Sequence, residues 1–166
     1  MKIFVSIALS QLFASCAFFR PLSPAHEFSK QLKQIEFTLA EARPLAGKIE
    51  AQAQDLYQQG FLLQEIYLKK APECAAVLTI LKEKQNEILT LGLEELERAY
   101  HEGEGLPEAP EHCYHAKELT VHPATVIVLA RQTPFLPEHI DQMRLELSEL
   151  ESHLYMFDED QANPTL

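Results

Sequence analysis

Between Phe28 and Tyr67 the apolar and small residues Phe28, Leu32, Ile35, Leu39, Ala42, Ala46, Ile49, Ala53, Leu56, Gly60, Leu63 and Tyr67 recur in alternating steps of four and three. Such spacing gathers residues into one stripe only on an α-helix; a half-buried strand would need strict alternation. Held over this length it is a heptad seam, which must bury its stripe against partner helices. Lys30, Lys33, Glu36, Glu50, Gln54 and Asp55 fall between the seam positions and form a solvated face. At 1.5 Å per residue a continuous helix here would reach roughly 60 Å. Pro44 lacks an N–H and forces a kink or brief interruption, with the seam in phase on both sides. The stretch Leu39, Ala42, Ala46, Ile49, Ala53 and Leu56 is the candidate interaction seam. It serves either as a core stripe within the chain or as a docking surface for another protein.

The remaining segments agree with this class. Pro72 suits a first helical turn, and Leu78, Leu81, Gln85, Ile88, Gly92, Leu96 and Ala99 extend a second stripe to about His101. Gly103 and Gly105 stop it, and Leu106 to His112 reads as a loop. A helical turn is expected at Tyr114 to Leu119. "TVIVLA" is β-branched enough for a strand, but it has no partner strand, so a helix starting at Pro123 is expected. The last helix starts at Pro137 and carries Ile140, Met143, Leu147, Leu150, Leu154 and Phe157. The expected fold is all-α, a helical hairpin or up-and-down bundle with one long kinked N-terminal helix. Residues 27–157 form the helical domain, and 158–166 are expected to be a disordered acidic tail.

The chain carries 25 acidic against 14 basic residues, a formal charge of -11. That field repels phosphate backbones, so no nucleic-acid partner is expected. It offers anionic lipid no attraction either, so membrane attachment requires another device. Lys2 followed by the apolar run Ile3 to Phe13 has the form of an export signal, and the run is too short to span a bilayer.

Leu12-Phe13-Ala14-Ser15-Cys16 follows that run. It resembles the lipobox of bacterial lipoproteins, in which small residues precede a cysteine that is lipidated and becomes the new N-terminus. Ala14 and Ser15 match the small positions; Phe13 stands where the family usually has leucine. The resemblance implies a signal peptide over 1–15, a fatty-acylated Cys16, and a tether over 16–26 with Pro21 and Pro24. Ala17, where aspartate would favour the inner membrane, implies the periplasmic side of the outer membrane. The alternative is cleavage after Ala17, between the small pair Ser15 and Ala17 and the mature chain, giving a free periplasmic or secreted protein.

By either route Cys16 leaves the count, and Cys74 and Cys113 remain as an even pair in an oxidising compartment, where a disulfide is expected. Reduced, buried or metal-bound thiols are the alternative. His101, His112, His115 and His122 flank or follow the loop and are the candidate metal ligands, for zinc or haem, although their spacing matches no paired metal signature. No nucleophile elbow, phosphate loop or dinucleotide fingerprint occurs in the sequence, so no enzyme activity and no cofactor beyond the lipid are expected. The expected function is a lipid-anchored, periplasm-facing binding or assembly component of an envelope complex, such as a secretion or surface apparatus. A periplasmic metal or haem carrier using the histidine-bearing loop is the alternative.

Overall fold

The computed structural model describes residues 23–162, and side chains through Asp158. The signal peptide, Cys16, residues 16–22 of the tether and residues 163–166 of the tail lie outside the described residues. Seven α-helices and no strand occur among the described residues.

Helix α1 (Pro24–Leu39) begins where the sequence supplies a cap. Ser23 Oγ accepts from the His26 N–H at 3.2 Å, Pro24 occupies the first turn, and Glu27 places a carboxylate at the positive end of the helix dipole. Residues 24–26, expected in the tether, are therefore helical. The Pro44 break is an interruption: residues 40–45 leave helical geometry, and α2 (Ala46–Tyr67) folds back against α1. A single 60 Å rod is thereby replaced by a hairpin, because the seam finds its partner in the chain's own other half. Leu39, Ile49, Ala53 and Leu56 are buried in this core, whereas Ala42 is exposed and Ala46 half-buried at the turn.

The second long helix expected from residue 74 to 101 is instead a series of short pieces. A 3-10 turn (Pro72–Cys74) leads into α3 (Ala75–Glu83), α4 (Gln85–Ile88) and α5 (Leu93–Leu96), then a π-helical turn (Glu97–His101). The chain breaks at Lys84 and again at Gly92, whose extended backbone lets α5 start in a new direction.

Helix α6 (Glu111–Ala130) is continuous where two separate pieces were expected, and Pro123 lies inside it. Every residue from Ala116 to Ala130 is buried, the pattern of a helix surrounded on all sides. Pro123 cannot donate to the Leu119 carbonyl, and α2 closes on that spot. Gly60 packs there so tightly that an added Cβ would lie 2.2 Å from Leu119 O. Gln64 Nε2 donates nearby to Ala116 O at 2.8 Å and Thr120 Oγ1 at 3.0 Å. Helix α7 (Pro137–Ala162) completes the layer and runs through residues 158–162, which were expected in the disordered tail.

Contacts set the directions. Gln64 meets Ala116 while Glu50 meets Arg131, so α2 and α6 run antiparallel. His115 meets His153 and His122 meets Glu146, so α6 and α7 do too. Lys33 bonds Glu151, and Arg144 Nη2 donates to Leu39 O, which sets α1 against α7. The result is an up-down-up-down four-helix bundle, with the short helices covering one side. A Cys74–Cys113 disulfide, with Cα atoms 5.4 Å apart, ties the 3-10 turn to the first turn of α6.

Candidate metal centre

An isolated helix inside a bundle should be apolar, yet α6 carries Lys117, Glu118, Thr120, His122 and Thr125 in its buried stretch. Buried polar groups persist only when something satisfies them. Most are satisfied. Lys117 Nζ donates to the carbonyls of Tyr100 at 2.7 Å and His101 at 2.6 Å. Thr120 Oγ1 donates to Lys117 O, and Thr125 Oγ1 to Val121 O.

Glu118 and His122 differ. Both are fully buried. Glu146 Oε2 lies 2.8 Å from His122 Nδ1; a carboxylate accepts, so Nδ1 carries the hydrogen. His122 Nε2 is then the free atom, and it has no hydrogen-bond partner. Its nearest charged neighbour is Glu118 Oε2 at 3.8 Å, beyond hydrogen-bond reach. Lys117 Nζ lies 2.7 Å from Glu118 Oε1, an ion contact whose angles do not make a hydrogen bond, and neither Glu118 oxygen accepts one.

Around this pair the fold gathers more donors. The π-helical turn brings Glu97 and His101 against α6, with the His101 ring 4.8 Å from that of His122. His101 Nδ1 is also buried without a hydrogen-bond partner, 3.6 Å from Glu97 Oε2. Helix α7 adds Glu146 and Glu149. Donor atoms of His101, His122 and Glu149 all lie within 4.8 Å of one another, as do those of Glu97, His101 and Glu146. Four carboxylates thus converge with one ammonium. Burial, and next the charge of Glu146, raise the Glu97 carboxyl above its ordinary pKa.

Imidazoles continue outward. The His153 ring sits 5.2 Å from His122, and His153 Nδ1 lies 3.0 Å from His115 Nδ1. Burial first, then the neighbouring His122, pushes His153 down to about 3. Tyr114 packs edge-on against both outer rings; burial, then the Glu118 carboxylate, pushes its phenol up to about 12.

Of the four expected histidine ligands, His101 and His122 come together in the centre. His115 stands outside it, joined through His153. His112 is separate, with Nε2 2.9 Å from Glu73 Oε1. They flank and follow the loop as expected, except that His112, expected at the loop's end, already lies in the first turn of α6; His115 and His122 follow on α6, and His101 ends the π-helical turn. Cys74 and Cys113 sit near His112, but their sulfurs are spent on each other. The glutamates and His153 went unnoticed in the sequence, although a signal exists. Glu97/His101, Glu118/His122 and Glu149/His153 are all E-x-x-x-H pairs, placing carboxylate and imidazole one turn apart on a helix face.

The chain matches no protein-family model, no curated protein and no solved structure, so the chemistry of the centre stands on its own residues.

Proposed function

We propose that the protein is an exported helical metal-binding protein, held by acylated Cys16 at the periplasmic face of the outer membrane. Its bundle takes a first-row transition-metal cation between Glu97, His101, Glu118, His122, Glu146 and Glu149. The observation that carries this is His122 Nε2: buried, without a partner, and facing a carboxylate oxygen across 3.8 Å. Two metal–ligand bonds of about 2.1 Å separate their donor atoms by roughly 3–4 Å, so the gap suits one ion. The Glu146 bond to Nδ1 supports the same reading, since a carboxylate on the far nitrogen orients a ligating imidazole and raises its basicity. Mixed imidazole and carboxylate donors favour zinc, iron, cobalt or manganese over calcium or magnesium. Donor triads this compact suit an ion better than a porphyrin.

The competing account is a structural charge network with no metal, in which Lys117 neutralises Glu118 and Glu146 holds His122. Metal-stripped protein titrated with Co2+ separates the two. Metal binding predicts stoichiometric uptake with a ligand-field spectrum, lost in Glu118→Gln/His122→Gln; the charge network predicts no uptake by either protein.

The seam that suggested an envelope-complex partner is occupied at Leu39, Ile49, Ala53 and Leu56 by the chain's own core. Assembly with an envelope complex therefore draws its support from the anchor sequence alone.

A further inference from the structure

His115 and His153 lie outside the donor set of the centre, and their geometry gives them a separate task. Two imidazoles from different helices, α6 and α7, face each other through Nδ1 at 3.0 Å. Both are half-buried, whereas His122 behind them is fully buried. Ring centroids step inward from His115 to His153 at 5.3 Å, from His153 to His122 at 5.2 Å, and from His122 to His101 at 4.8 Å. A metal–nitrogen bond of about 2.1 Å puts an ion roughly 3.2 Å from a ring centre, so imidazoles sharing one ion have centroids about 5–6 Å apart. The rings thus stand at the spacing of imidazoles that share an ion, in a row that leads from the half-buried pair to the buried centre.

That matters because a bare divalent cation cannot cross a bundle core; desolvation is too costly unless ligands replace the water shell. Buried Glu118 and His122 need such a route. In the resting pair one Nδ1 donates to the other. Shifting that ring's hydrogen to Nε2 turns both Nδ1 lone pairs toward an arriving cation, with no proton gained or lost. The contact between the two rings is nitrogen to nitrogen, and two imidazole donors hold a borderline metal more weakly than the mixed donors of the centre, as a transfer station requires.

Resting on the proposed metal centre, we infer that His115 and His153 form an outer metal-docking site that passes a borderline divalent cation inward to His122. The test is stopped-flow uptake of Co2+ by metal-stripped protein, comparing wild type with His115→Gln and His153→Gln. His112→Gln, at the separate Glu73 contact, is the control. The expected result is loading at least tenfold slower in the two relay variants, with unchanged final stoichiometry and spectrum and a normal rate in the control. Wild-type rates in both relay variants would overturn the relay and leave the centre standing. So would a lost equivalent or an altered final spectrum, which would make these histidines ligands of the centre itself. Absence of Co2+ uptake by the wild type would overturn the centre and the relay together.

Discussion

Gly60→Ala tests the contact that positions α6. A Cβ at residue 60 would sit 2.2 Å from Leu119 O, 2.9 Å from Thr120 Cγ2 and 3.0 Å from Leu119 C. Ordinary contact begins near 3.4 Å, so the carbonyl and the new methyl must separate by 3.4 − 2.2, or 1.2 Å. The obstacle is backbone, so the helices themselves must part. Overpacking of this kind costs about 1–3 kcal/mol, with backbone displacement at the upper end, while alanine's better helix propensity returns about 1 kcal/mol. Gly47, on the same helix, meets nothing within 4 Å and supplies the control. Gly47→Ala, in the first turn of α2, should be neutral or stabilising by less than about 1 kcal/mol. The two variants should therefore differ by roughly 2–3 kcal/mol in urea unfolding with unchanged m value, and by several degrees in Tm. Gly60→Ala should also weaken metal uptake, since Leu119 and Thr120 lie between Glu118 and His122. Equal stability of the two variants would refute the close-packing argument.

Replacing Cys74 and Cys113 together by serine opens a loop between residues 39 apart and should lower unfolding stability by about 4 kcal/mol, read from denaturation of both proteins under identical conditions. A loss below ~1 kcal/mol would refute this loop-entropy account. Cys16→Ser should abolish acyl labelling and move the protein from the membrane to the soluble fraction; unchanged fractionation would remove the anchor.

How far the sequence reached differs by element. Heptad stripes at Phe28 to Tyr67 and Ile140 to Phe157 already specify helices, because period alone sorts apolar from polar faces. Parity of the cysteines, with Cys16 set aside on the expectation of export, raised the Cys74–Cys113 pairing against reduced or metal-bound thiols, and the fold brings the two together. What a stripe cannot say is which surface it faces. The seam through Leu39 and Ile49 looked long enough to recruit another protein, and only the reversal at residues 40–45 turned it on itself.

The centre shows the same division. Each E-x-x-x-H pair is a local fact, written into one helical turn. That the pairs at 97, 118 and 149 converge depends on α5's change of direction at Gly92, on α6 remaining one helix through Pro123, and on the antiparallel register of α6 with α7. These are long-range packing outcomes, set by the burial of the whole bundle. Periodicity thus determined α1, α2 and α7 and their apolar faces, while tertiary packing decided that Glu118 and His122 would be sealed from water with donors from two other helical segments around them.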